Sequence, residues 1–183
     1  MAHALTGLRL LAVVPAAWAF SRPDRVSVWV LAALMITAIV TDYYDGVVAR
    51  TSGTASARGM LFDHTTDFLF VTSGLAGASA AGLVPTMLPL LIVVAFSQYV
   101  LDSYFLHRQK QLRMSMLGRW NGILYFAPLV QIALSHMEWL RAVADLAGAI
   151  VRPFCLLLVV STVASILDRA VAPLRARAVM KHQ

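Results

Sequence analysis

Charge is what this chain has least of. Only 13% of its 183 residues are Asp, Glu, Lys or Arg, while 60% are hydrophobic and the mean hydropathy is +0.74. A soluble globular domain carries about 25% charged and 45–50% apolar residues. That balance excludes a water-soluble core and puts helix packing in lipid in its place. Cysteine is nearly absent too. The single Cys155 excludes an intrachain disulfide and, lying in an apolar run, reads as a small core residue. Acids are scarce, nine against fifteen Lys and Arg, so the formal net charge is +6 and the isoelectric point near 10.1. In a soluble chain that excess would raise nucleic acid as a partner. In one this apolar it marks cytoplasmic loops and contact with anionic lipid heads, and no nucleic-acid partner is expected. There is no internal repeat, low-complexity tract or soluble appendage, so one membrane domain over residues 1–183 is expected.

The scarce acids are not scattered. Four of the nine, Asp42, Asp45, Asp63 and Asp67, fall within 26 positions flanked by long apolar runs. One Asp at the centre of a membrane helix costs roughly 2.5–3.5 kcal/mol, so several together need a wet cavity or neutralising cations. On a helix Asp42, Asp45 and Ala49 share one face, at i, i+3 and i+7. Gly59, Asp63 and Asp67 share another, at i, i+4 and i+8. A short turn around Thr51–Ala57 would bring the two faces together. Gly46, Ala49 and Gly59 are small enough for backbones and a ligand to approach. The product is a hard oxygen-ligand cluster suited to Mg²⁺ or Mn²⁺ together with substrate phosphates.

The remaining chain divides into spans. A first helix is expected over Leu5–Phe20. Thr6 and Arg9, at i and i+3, either turn a polar face toward the acidic site or leave Arg9 to snorkel to the interface. Ala17-Trp18-Ala19 looks like a signal-peptidase site, but the leading segment lacks the positive charge of a signal peptide. A second span runs from Val26 to about Arg50. The 34 uncharged residues Phe68–Leu101 would make one helix of about 50 Å against a ~30 Å hydrocarbon core, so they form two spans. Gly82, Pro85 and Pro89 put the turn near Gly82–Thr86. Gly74, Gly77, Ala78 and Ala81 suit tight packing or a dimer seam. A fifth span, about Trp120–Met137, is expected to bend at Pro128. After a polar turn over Glu138–Asp145, Arg152-Pro153 opens the sixth, which ends near Asp168-Arg169 before a basic tail.

These readings give an all-α integral membrane protein of six transmembrane helices with both termini on one side. Of the fifteen Lys and Arg, only Arg22, Arg25, Arg141 and Arg152 fall on the other side. The positive-inside rule therefore makes the termini and the acidic motif cytoplasmic. The expected location is multi-pass in a membrane, the bacterial inner membrane, with the active site at its cytoplasmic face.

The stretch Asp42-Tyr43-Tyr44-Asp45-Gly46-Val47-Val48-Ala49-Arg50, followed after eight residues by Gly59 through Asp67, resembles the CDP-alcohol phosphotransferase signature, D-x-x-D-G-x-x-A-R-x8-G-x-x-x-D-x-x-x-D, at every fixed position. The resemblance implies metal-dependent transfer of a phosphatidyl group from CDP-diacylglycerol to a small polar alcohol, with release of CMP. It implies a two-metal site held by Asp42, Asp45, Asp63 and Asp67, with Asp67 also accepting the proton of the attacking hydroxyl. It gives Gly46, Arg50 and Ser56 contacts to the CDP moiety, with Ala49 leaving space and Gly59 completing the CDP-lipid set. It also implies a homodimer. Many family members carry a Thr and an Arg near positions 6 and 9 that approach the nucleotide lipid. Among the basic residues His107 to Arg119, a solvated cytoplasmic loop competes with a second reading, capture of an acceptor phosphate by Arg119, Arg113 or Arg108. His64, Thr66 and Phe68 depart from the phosphatidylglycerophosphate synthases, which usually have Pro, Ala and Lys there. Two other readings are a CDP-choline or CDP-ethanolamine aminoalcohol phosphotransferase and a cation- or proton-coupled transporter. A transporter would spread its charges across the bilayer depth; here they collect at one face.

Overall fold

Alternating apolar runs and Gly/Pro breaks become a stack of helices. The computed structural model describes residues 2–51, 57–101 and 116–180, with side chains described throughout these except at 2–4, 46, 49–50, 57–58 and 172–180. Among the described residues it is all-helical, without strands.

The first expected span is two helices, α1 (Ala2–Leu11) and α2 (Val13–Phe20), with a turn at Ala12. Pro15 explains the turn, because its ring nitrogen leaves the Leu11 carbonyl without an intrahelical donor. A single 3-10 turn, Pro23–Arg25, leads to α3 (Val28–Thr51). The acid-bearing helix α4 (Ala57–Ala80) follows, and α5 (Met87–Leu101) comes after a turn. Gly82 closes that turn with φ +76°, a left-handed conformation that costs glycine little.

The fifth expected span is α6 (Met116–Leu124) and α7 (Ala127–Ser135). The break at Tyr125–Phe126 lies just before Pro128, whose missing N–H deprives the Leu124 carbonyl of a partner. The sixth departs from expectation. Helix α8 (Arg141–Met180) starts eleven residues before Arg152 and runs through Pro153 and on through the basic segment. The expected polar turn shrinks to the 3-10 turn Glu138–Leu140. The reason is local. Ala142, Ala144, Leu146, Ala147 and Ala149 are strong helix formers, and isolated Arg141 and Asp145 do not break such a run. Pro153 removes one hydrogen bond, which a packed helix tolerates.

Helix α4 packs on α1 and α2, α8 packs on α5, α6 and α7, and α1 lies along α3. Phe20, Leu31, Phe70, Leu75, Leu88 and Leu129 are fully buried between them. Gly74 and Gly77 serve packing inside the chain. A Cβ on Gly77 would sit 2.2 Å from the Ala17 carbonyl oxygen, and one on Gly74 would sit 2.9 Å from Leu129 Cδ1. The small residues of the third span are thus used to bring α2 and α7 against α4.

Some polar groups are buried beside the apolar core, while many large apolar side chains are exposed. Arg9 and Thr162 are fully buried, while Leu11 is 76% exposed and Leu157 67%. Val28–Asp45 and Glu138–Val171 are each long and apolar enough to cross a bilayer, and Leu5–Phe20 and Met87–Leu101 are shorter apolar helices.

Candidate active site

Three helices meet at the acidic stretch. From α1 come Thr6 and Arg9, one turn apart; from α3 come Thr41, Asp42 and Asp45; from α4 come Asp63 and Asp67. The two faces inferred from spacing do converge, and they converge on Arg9. Its Nη1 donates to Asp63 Oδ1 at 3.2 Å and to Asp67 Oδ1. The same nitrogen lies 3.7 Å from Asp42 Oδ1, and Nη2 lies 3.5 Å from Asp45 Oδ2. Nε donates to Thr41 Oγ1 at 3.2 Å, and the Thr41 hydroxyl donates in turn to the Thr37 carbonyl at 2.7 Å. Thr6 Oγ1 donates to Asp45 Oδ2 at 2.8 Å.

The carboxylates are graded by depth. The Asp45 side chain is 5% exposed, those of Asp67 and Asp63 22% and 25%, and that of Asp42 51%. The cluster therefore has a closed floor at Asp45 and an open rim at Asp42. At the floor two polar atoms are buried without a hydrogen-bond partner, Asp45 Oδ1 and Arg9 Nη2. An unsatisfied carboxylate oxygen in such a place costs about 1–3 kcal/mol or more, so its retention calls for a ligand. On α4, ligand atoms of Asp63, His64 and Asp67 lie within 4.8 Å of one another, a group that could hold a metal ion. All the carboxylates offer hard oxygens, which suit Mg²⁺ or Mn²⁺.

Of the other expected site residues, Gly46, Ala49 and Arg50 lie in the last turns of α3, and Gly59 lies half-buried in the first turn of α4. Ser56, Arg108 and Arg113 lie outside the described residues, as does His107. Arg119 is exposed on α6, and no ion pair joins it to the four carboxylates among the described residues. Two residues gain a place that spacing did not give them. Thr41 closes an apolar run and carries Arg9, and His64 stands beside two motif acids. For Arg9, the reading in which it faces the site is the one the structure takes.

No curated protein and no solved structure gave a match to the chain. A family model did match, over residues 1–160, which include every helix that contributes to the acidic cluster. On that match the chain belongs to the CDP-alcohol phosphatidyltransferase family, transferases of phospholipid biosynthesis.

Proposed function

We propose that this protein transfers a phosphatidyl group from CDP-diacylglycerol to the hydroxyl of a small polar alcohol, in a multi-pass membrane setting, and releases CMP. The observation that carries the reading is the convergence of four motif carboxylates from two helices on one buried point of positive charge. A cluster that gathers around a cation at its buried end and opens at Asp42 on the other suits a diphosphate entering from the cytoplasmic face.

In this reading Asp42, Asp45, Asp63 and Asp67 hold divalent cations, Mg²⁺ or Mn²⁺, in a two-metal site. When bound, such cations neutralise a diphosphate and stabilise the leaving oxygen. The chain's own residues do the rest. Gly46, Ala49, Arg50, Ser56 and Gly59 form the CDP-lipid contact, with the Arg50 fork matched to phosphate oxygens. Asp67, one turn beyond Asp63, accepts the proton of the acceptor hydroxyl as that oxygen bonds to the phosphatidyl phosphorus. The bond from phosphorus to the CMP oxygen breaks, and CMP leaves with that electron pair. A phosphorylated acceptor is favoured by the basic stretch, with Arg119, Arg113 and Arg108 as its contacts. The six-span topology with cytoplasmic termini and the homodimer belong to the same proposal. Thiol labelling of a Glu138→Cys chain from the cytoplasmic side would contradict that orientation.

Asp67→Asn tests the site directly. CMP release should fall by about 10²-fold or more while equilibrium binding of CDP-diacylglycerol survives. Loss of binding in step with loss of rate would remove Asp67 from the proton-accepting role.

A further inference from the structure

The carboxylates already hold a cation, and they hold it in an arrangement that suits arginine poorly. An arginine paired for its own sake with a carboxylate uses its fork, two parallel N–H···O bonds from two nitrogens. Here the fork is not used. Nη1 has two hydrogens, yet oxygens of three carboxylates, Asp42, Asp63 and Asp67, gather around it. Nη2 is buried without a hydrogen bond, and so is Asp45 Oδ1. Three oxygens closing on one nitrogen, with a fourth carboxylate next to it, is how oxygens surround a spherical ion. The guanidinium stands where a point charge would.

We propose that Arg9 is a resident counter-ion: it occupies the carboxylate cluster in the metal-free chain and competes with divalent metal for the same oxygens. The proposal rests on the metal-binding reading given above. Its physical basis is mutual need. Four carboxylates side by side repel one another unless a cation stands among them, and a fully buried guanidinium is costly unless carboxylates surround it. Arg9 thus keeps α1, α3 and α4 together before any metal arrives. Metal entry must break the Nη1 bonds to Asp63 and Asp67. The bond from Nε to Thr41 involves no carboxylate and can persist, so Thr41 is the pivot on which the guanidinium turns away. The metal site is then open only in the fraction of molecules whose arginine has swung out, which weakens the apparent affinity by that fraction.

The experiment uses the full chain in detergent micelles with Mn²⁺ alone as the probe, free Mn²⁺ being counted by electron paramagnetic resonance. Wild type, Arg9→Met and Arg9→Lys are compared, and thermal unfolding is followed with and without chelator. Arg9→Met should bind Mn²⁺ about tenfold tighter or more. Its metal-free form should unfold at a lower temperature than wild type, and Mn²⁺ should restore it. Arg9→Lys, with a shorter reach to fewer oxygens, should fall between the two, and it carries the test if Arg9→Met cannot be recovered metal-free. Affinity in the variants equal to or weaker than wild type would overturn the counter-ion role and leave the metal reading standing. Mn²⁺ binding by none of the three chains would overturn the metal reading and the counter-ion role together.

Discussion

Thr6 and Arg9 lie one turn apart on α1, and both reach the same cluster from one side: the Thr6 hydroxyl reaches Asp45, and the Arg9 guanidinium reaches all four carboxylates. The four Asp were legible in the sequence because their cost in an apolar setting is large and their spacing repeats a helical face. The direction of Arg9 was not legible. Spacing within α1 fixes which residues share a face, but not which neighbouring helix that face meets, and snorkelling satisfied the same sequence. Thr41 was hidden for a different reason, since a threonine ending an apolar run costs little and so draws no notice. The Thr6 bond makes a prediction at this scale. Thr6→Val removes the donor from a buried carboxylate oxygen and should lower the stability of the metal-free chain by about 1–3 kcal/mol, read by thermal unfolding in detergent. An unchanged unfolding temperature would show that Asp45 is held without it.

Helices α3 and α4 each place their acids near the end that faces the short connection between Thr51 and Ala57. The Gly82 turn was legible because glycine and proline punctuate it, whereas residues 52–56 of the connection lie outside the described residues. The long α8 was not legible, because two isolated charges and one proline look like a boundary while the alanines around them favour helix. The small residues of α4 were read correctly as packing residues, but with two possible uses. Gly77 serves packing within the chain, since it lies directly against the α2 backbone. Gly77→Ala would push a methyl group into the Ala17 carbonyl and part α2 from α4. Overpacking of this kind costs about 1–3 kcal/mol. A lower unfolding temperature, with the oligomeric state unchanged, is expected. A change in oligomeric state at unchanged stability would instead make Gly77 part of a seam between copies.

At the scale of the whole molecule, the described residues enclose an apolar core, leave other large apolar side chains exposed on the helix surfaces, and bury the Arg9-centred acidic cluster where three helices meet. The apolar helices and the family together point to a membrane protein. Gross composition was enough to foresee the helical structure of the described residues, because lipid leaves a backbone few other ways to satisfy its polar groups. The headgroup was not legible, because the basic residues near 108–119 fit both a solvated loop and a phosphate contact. The proposed reaction is measured most directly as CMP release from CDP-diacylglycerol by the purified protein with Mg²⁺ or Mn²⁺. The acceptors to compare are glycerol 3-phosphate, inositol phosphate, inositol, serine and none. Release that requires both the metal and one acceptor, the phosphorylated ones leading, is the predicted result. No release with any of them would contradict phosphatidyl transfer from CDP-diacylglycerol.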